Sequence, residues 1–116
     1  MDRKLRILIE IVDLYIQTGE PVGSKAIADR MCNAVSSATV RNDMALLCEM
    51  GYLEQPHISA GRVPTAAAYR VYVNWLMAQK PGDIDKRRIY AAVEKLSSER
   101  IAENAGQLLS FSRQLK

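Results

Sequence analysis

The side chains best suited to recognition chemistry lie between positions 36 and 45 of this 116-residue chain. A helix over this segment would place small and hydrogen-bonding residues on one face, namely Ala38, Arg41, Asn42 and Ala45. An arginine can fork onto guanine O6 and N7 or onto a phosphate, and an asparagine can pair with adenine N6 and N7. Hydroxyl groups at the start of such a helix suit phosphate contact, and the segment supplies them at Ser36, Ser37 and Thr39. The pattern favours a helix that reads nucleic acid, and an ordinary capped, solvated helix face is the alternative.

A second polar segment follows and surrounds a flexible loop tip, with His57, Ser59, Gly61 and Arg62. Arg62 could enter a minor groove or hold a phosphate. His57 could donate a hydrogen bond near the DNA backbone, although a lone surface histidine in a turn fits the sequence better. Ser24 and Lys25 begin another short helix, where they could hold a phosphate or act as a plain cap beside a solvated lysine.

Composition and motif content argue against several other classes of protein. Hydrophobic residues make up 48% of the chain and charged residues 25%, which is typical of a globular protein. No apolar run approaches the ~20 residues that a membrane span needs, and charges interrupt the apolar N-terminal stretch, which excludes a signal peptide. Cys32 and Cys48 are too far apart to suggest a zinc site, and common catalytic motifs are absent. We therefore expect reduced thiols in a cytoplasmic protein with no catalytic residues, metal or cofactor.

The spacing of apolar residues predicts a mainly α fold of the winged helix-turn-helix type. One long helix ends before Gly19, and a short helix runs from Lys25 to about Met31 behind a Ser24 cap. A third helix, capped by Ser36 or Ser37, runs to about Met50. A two-stranded hairpin over 52–55 and 62–63 forms the wing, and a fourth helix follows Thr65. A helical tail completes the chain. In this fold the second helix of the pair can lie in the major groove, and the hairpin can reach an adjacent groove or the backbone.

The same spacing predicts the division of the chain. Residues 1–78 form the winged helix-turn-helix domain, residues 79–83 a linker, and residues 84–116 a helical tail that begins a dimerisation or regulatory region. The tail carries two apolar stripes, one at 89–96 and one at 101–109, and Ser97-Ser98 could cap a separate helix between them. We expect the tail to dimerise or to dock on the first domain.

Charge and apolar patterning leave two kinds of partner open. Residues 1–78 hold eight basic and eight acidic residues, although specific DNA binding depends on lysines and arginines at phosphates. A neutral domain must therefore segregate its charges by face, and a homodimer on a two-fold symmetric site would strengthen its binding. The first helix has a second apolar stripe, with Ile7, Ile11 and Leu14, which is either core or an interface. An exposed stripe would favour a protein–protein interaction module without DNA binding.

Three separated motifs resemble the bacterial heat-inducible transcription repressors, the HrcA family. They are the stretches TGEPVGS at 18–24, SATVRNDM at 37–44 and QPHISAGRVPT at 55–65, and the resemblance is dense over about residues 3–78. Many relatives have proline where Ser37 stands, and polar residues with glycine where this chain has alanines at 66–68.

The resemblance implies a repressor of chaperone operons that binds an inverted-repeat operator in double-stranded DNA as a dimer. It implies that Ser37, Ala38, Thr39, Arg41 and Asn42 face the operator, with His57, Ser59, Gly61 and Arg62 beside it. Family members also respond to heat and to the chaperonin system. They carry a regulatory domain with an inserted dimerisation segment that is absent from residues 1–116, so we expect any chaperonin contact to lie in that absent region.

Overall fold

The computed structural model describes residues 2–79, 82 and 85–99 and confirms the predicted mainly α fold and its order of elements. The elements are α1 (Arg3–Thr18), α2 (Ser24–Arg30), α3 (Ser37–Glu49), β1 (Leu53–Glu54), β2 (Val63–Pro64), α4 (Ala66–Met77) and α5 (Lys86–Glu99). The contacts divide the chain into two compact units, one ending at Thr65 and the other beginning at Ala66.

Helix α1 is the central helix of the first unit. It ends where predicted, at Gly19, whose left-handed φ of 71° lets its amide donate to the Tyr15 carbonyl at 2.7 Å. Ile7 and Ile11 are both 0% exposed, and Leu14 is half-buried. The second apolar stripe of this helix is therefore largely part of the core of the chain.

The turn between α2 and α3 sets the angle of the helix pair. Cys32 and Asn33 both adopt left-handed backbone conformations, with φ of 55° and 58°. Their amides donate to carbonyls at the end of α2, each at 3.0 Å. Arg30 ties α2 to α1 through ion pairs of 3.0 Å with both Glu10 and Asp13.

The predicted cap of α2 is wrong by one position. Gly23 occupies the cap with an extended backbone, and Ser24 is the first helical residue, without a side-chain capping hydrogen bond. The cap of α3 is as predicted, because the Ser36 hydroxyl accepts from the Thr39 amide at 3.1 Å.

The first strand of the wing is shorter than predicted, and the second begins one residue later. The two strands pair only Leu53 with Pro64 and Glu54 with Val63, in antiparallel register. Arg62, expected in the second strand, instead exchanges two backbone hydrogen bonds of 2.8 Å with Val22, in the segment before α2. The base of the wing is therefore tied to the beginning of the helix pair. The Thr65 hydroxyl closes the hairpin by donating to the Gly51 carbonyl at 2.7 Å.

In the second unit, α5 packs against α4. Ile89, Ala92 and Val93, from the first apolar stripe of the tail, are all buried. The Arg88 guanidinium donates to the Tyr72 hydroxyl at 3.1 Å and lies 5.5 Å from the centre of the Trp75 ring.

Two predictions about the tail have different outcomes. Helix α5 continues through Ser97 and Ser98 to Glu99, so the expected separate helix does not begin there. The second apolar stripe, at 101–109, lies outside the described residues, and the boundary at 79–83 stays a prediction.

Within the described ranges, no helix is long and apolar enough to cross a membrane.

Candidate nucleic-acid interface

The outward face of α3 is composed of the residues that the sequence places there. Its exposed side chains include Ala38, Arg41, Asn42 and Ala45. Val40, Met44 and Leu47 lie on the opposite face and are at most 3% exposed, which orients the helix. Small residues beside an arginine and an asparagine allow the helix backbone to approach base edges closely. The face is therefore open to a ligand and has suitable chemistry for DNA.

The hydroxyl groups at the start of α3 are partly used within the protein. Ser36 is exposed, but its hydroxyl caps the helix and donates to the Thr39 hydroxyl at 3.0 Å. Ser37 and Thr39 are half-buried. We infer that Ser36 mainly stabilises the helix, while free backbone amides of the first turn remain available to an anion.

A partly buried ion pair fixes α3 to α1. The Asp43 carboxylate accepts two hydrogen bonds from Arg3 of α1, at 2.7 and 3.2 Å. The Asp43 side chain is only 3% exposed, whereas that of Arg3 is 51% exposed. The hydrogen bond from Arg3 to Asp43, together with the negative charge of that residue, raises the pKa of the Arg3 guanidinium above its usual value. Because the shift is upward, the Arg3 guanidinium stays charged throughout the neutral range.

Sequence reasoning did not identify the role of Asp43. The available signal was its position between Val40 and Leu47, on the inward face of an amphipathic helix. A buried acid on that face requires a charged or hydrogen-bonding partner. The partner lies 40 positions away, so spacing along α3 does not reveal it.

Replacement of Asp43 by alanine should lower the free energy of unfolding by about 1.5 kcal/mol, near the lower end for hydrogen bonds to charged groups. We expect a loss at this lower end because the half-exposed Arg3 guanidinium can be hydrated when Asp43 is removed. Thermal denaturation followed by circular dichroism measures the change. Glu49→Ala, which removes an exposed acid from the same helix, is the control and should be nearly neutral. Equal stability of the two variants would show that the Arg3 pair does not stabilise α3.

The tip of the wing is a hydrogen-bonded turn. The Gln55 side-chain amide donates to the carbonyls of Ile58 at 2.7 Å and Ala60 at 3.2 Å. The Ala60 amide donates to the His57 carbonyl at 3.1 Å. These bonds order the tip and leave His57, Ile58 and Ser59 exposed, with Ile58 at 98%. Residue spacing along the chain does not indicate the Gln55 contacts.

A groove of about 350 Å³ lies between α3 and the wing. We call it the α3–wing groove, and it is lined by Val22, Gly23, Ser24, Arg41, Met44, Gln55, Ile58, Ser59, Ala60, Gly61 and Arg62. A Cβ atom at Gly61 would lie 2.4 Å from the Val22 carbonyl oxygen, so glycine allows this wall to approach the segment before α2.

The structure brings some predicted site residues together and leaves others apart. Ser24, Arg41, Ser59, Gly61 and Arg62 line the α3–wing groove. The other predicted residues are absent from its lining: Lys25, Ser36, Ser37, Ala38, Thr39, Asn42 and His57. Of these, Lys25 is exposed on α2, His57 is exposed at the wing tip, and the rest lie at or near the start of α3.

The arginines of the first unit differ in their partners. Arg3 and Arg30 are neutralised by acids within the unit. Arg41 and Arg62 make no ion pair with any residue that the structure describes, and the groove lining contains no acid. In the same part of the chain, no group of three or more His, Cys, Asp or Glu residues could hold a metal ion. The groove therefore suits an anion.

A helix pair joined by a short turn, an exposed second helix and an adjacent β-hairpin together define a winged helix-turn-helix DNA-binding domain. Comparison with known families agrees with this assignment. A family model described as "Winged helix-turn-helix transcription repressor, HrcA DNA-binding" matches residues 2–77. The chain belongs to the HrcA family of transcription repressors.

Several proteins named heat-inducible transcription repressor HrcA are similar to this chain. That of Pelotomaculum thermopropionicum is 46% identical over 94% of this chain and 32% of its own length. That of Thermobifida fusca is 55% identical over 75% of this chain and 25% of its own length. That of Clostridium perfringens is 60% identical over 63% of this chain and 22% of its own length. The chain thus spans between about a fifth and a third of these relatives.

The fold also matches a solved structure. A crystal structure of a hypothetical protein superposes with a TM-score of 0.63 and is 42% identical in sequence. The match covers 66% of this chain and 25% of the other.

Proposed function

We propose that this chain is the DNA-binding portion of a sequence-specific repressor of heat-shock operons, with no catalytic activity. The observation that carries the proposal is the exposed Arg41–Asn42 face of α3 beside an ordered wing. Repressors named as heat-inducible in the same family support the class of target genes. Such a protein would act in the cytoplasm, on double-stranded DNA.

The proposed division of roles follows from position. Asn42 and the small residues Ala38 and Ala45 would lie along base edges in the major groove, because they form the exposed face of α3. Residues at the margins would contact the sugar–phosphate backbone and fix the register of the helix: Ser24, Lys25, Ser36, Ser37, Thr39, His57, Ser59, Gly61 and Arg62. Arg41 lies between these two groups and could serve either role.

We propose that the chain binds its operator as a homodimer. The first unit has seven basic and eight acidic residues, so a single copy has little net attraction for DNA beyond its local basic groove. Two copies on an inverted repeat would double the number of phosphate contacts and read two half-sites. Contact with the chaperonin system is expected outside residues 1–116.

Selection of bound sites from a pool of random duplex DNA tests this function. The proposal expects an inverted repeat with two half-sites, in which base preference is strongest at the positions facing α3. Enrichment of a single asymmetric site would contradict the dimer but keep the DNA-binding function. Recovery of no preferred sequence at low salt would contradict the sequence-specific repressor itself.

A protein–protein interaction module is the second candidate, and the structure makes it less favourable. The interface expected for it was the second apolar stripe of α1, but Ile7 and Ile11 of that stripe are completely buried in the chain. A mobility-shift titration with duplex DNA at low salt distinguishes the two candidates, because a protein interaction module should not retard duplex DNA.

A further inference from the structure

We propose that the α3–wing groove holds one phosphodiester group of the operator backbone, with Arg41 and Arg62 contacting it from two sides. This inference rests on the proposed function and deepens it. It assigns Arg41 to a backbone phosphate rather than to guanine, two targets that the sequence alone leaves open. It also makes the groove, which lies between two structural elements, a binding site in its own right.

The charges that line the groove select an anion. Arg41 and Arg62 lie in one lining that contains no aspartate or glutamate, and the other polar side chains of the lining are Ser24, Gln55 and Ser59. Arg41 is exposed and has no hydrogen-bond or ion-pair partner among the described residues. Two guanidinium groups beside one cavity repel each other unless an anion lies between them. A phosphate offers several oxygens, which two arginine forks can share.

The backbone of Arg62 is held in place, but its side chain lacks a full set of hydrogen-bond partners. Its backbone is fixed by the paired hydrogen bonds with Val22, and its terminal nitrogen makes a long contact of 3.5 Å with the Ala60 carbonyl. Its Nε atom is buried and has no hydrogen-bond partner within the part of the chain that the structure describes. A buried N–H of a charged group without a partner is costly, and a phosphate oxygen entering the groove would satisfy it.

The size and rigidity of the groove suit a nucleic-acid backbone. Its volume of about 350 Å³ is more than ten times the ~30 Å³ share of one water molecule in the liquid, which leaves room for a phosphodiester and part of a flanking sugar. Its walls are ordered before binding, because Gln55 fixes the tip of the wing and Gly61 packs on Val22. A preformed site loses little conformational entropy when the ligand binds.

The test compares arginine variants over a series of salt concentrations, using fluorescence anisotropy with a duplex selected by the wild-type chain. Arg41→Ala and Arg62→Ala should each weaken binding about tenfold, as expected for one lost hydrogen bond to a charged group. Each should lower the slope of log affinity against log salt by less than the ~0.9 per half-site that one phosphate contributes, because the other arginine still contacts that phosphate. The double variant should lose about 0.9 per half-site and no more, because both arginines contact the same phosphate. Arg6→Ala, which removes an exposed cation from α1, is the control and should keep the wild-type slope.

A chemically modified duplex locates the contact. Replacing the phosphates of each half-site one at a time by neutral methylphosphonates should identify one linkage that weakens the wild type about tenfold. The same replacement should leave the double variant unaffected. Melting curves of all variants confirm that they fold.

The outcomes separate this proposal from the proposed function. If Arg41→Ala relaxes base preference at one position and leaves the salt slope unchanged, Arg41 reads a base and the shared phosphate site is wrong. If no single linkage couples to both arginines, the groove does not hold a phosphate, although the repressor function stands. If the wild-type chain binds no duplex DNA, both proposals are overturned.

Discussion

Asn42→Ala should weaken binding of the selected operator by about 1–3 kcal/mol and relax base preference at one position in each half-site. The side-chain amide projects from the exposed face of α3, where it can donate to and accept from one adenine edge. Its loss removes a pair of hydrogen bonds that distinguishes adenine from the other bases. Binding constants for the operator and for all three substitutions at each position measure the effect.

The Asn42 prediction has a matched control in the same chain. Asn74 is an exposed asparagine on α4, so Asn74→Ala makes the same chemical change outside the proposed interface. It should leave affinity and base preference as in the wild type. If Asn42→Ala weakens binding to all sequences equally, Asn42 contacts the backbone instead. If it changes nothing, α3 does not read the operator through this residue.

Gly61→Ala should disrupt the wing and reduce both stability and operator binding. The added Cβ would lie 2.4 Å from the Val22 carbonyl oxygen and 2.5 Å from its carbonyl carbon, and backbone atoms cannot move aside as a side chain can. Relief of the overlap requires the wing to separate from Val22 and to break the two hydrogen bonds that Arg62 makes there. We expect a loss of about 1–3 kcal/mol in unfolding free energy, as for other overpacked sites. Because the wing would no longer lie beside α3, operator affinity should also fall.

Gly23→Ala supplies the comparison for Gly61. A Cβ at Gly23 would meet no atom within 4 Å, and the backbone there is extended, with φ of −92°. This variant should change the unfolding free energy by less than about 0.5 kcal/mol. Chemical denaturation and operator titration of both variants check the prediction. A Gly61→Ala variant as stable as Gly23→Ala would mean that the wing does not need its close contact with Val22.

The parts of the fold determined by local sequence could be predicted from it. The apolar period of α1 and the glycine after it define that helix, and Ser36 is a strong cap because its hydroxyl satisfies an unpaired amide of α3. The outward residues of α3 follow from the period of its buried positions. These features depend on residues within a few positions of each other, where spacing is informative.

The parts that depend on distant contacts could not be predicted. Ser24 has good capping chemistry, but the extended Gly23 takes the cap position and α2 begins one residue earlier. The second strand of the wing begins one residue later than predicted, because Arg62 pairs with Val22, 40 positions earlier. The Arg3–Asp43 pair spans the same separation, and neither contact leaves a periodic signal.

The candidate site shows the same contrast between features set by local sequence and features set by distant contacts. Sequence motifs identified the individual candidates, including Arg41 and Arg62, but not that these two line one groove. That arrangement depends on the Val22 bridge and on the hydrogen bonds of Gln55 within the wing, which are properties of the folded chain. The exposure of Ile58 at the tip also became visible only in three dimensions.

Backbone amide chemical shifts of the isotope-labelled chain, recorded during titration with the selected duplex, test the central claim most directly. We expect the large shifts to fall in two segments, 36–45 and 55–62, with smaller ones at 22–25. The inward face of α1 and helix α5 should change little. Large shifts confined to α5, or spread evenly over the chain with none concentrated on α3, would contradict the claim that α3 and the wing form the DNA-binding surface.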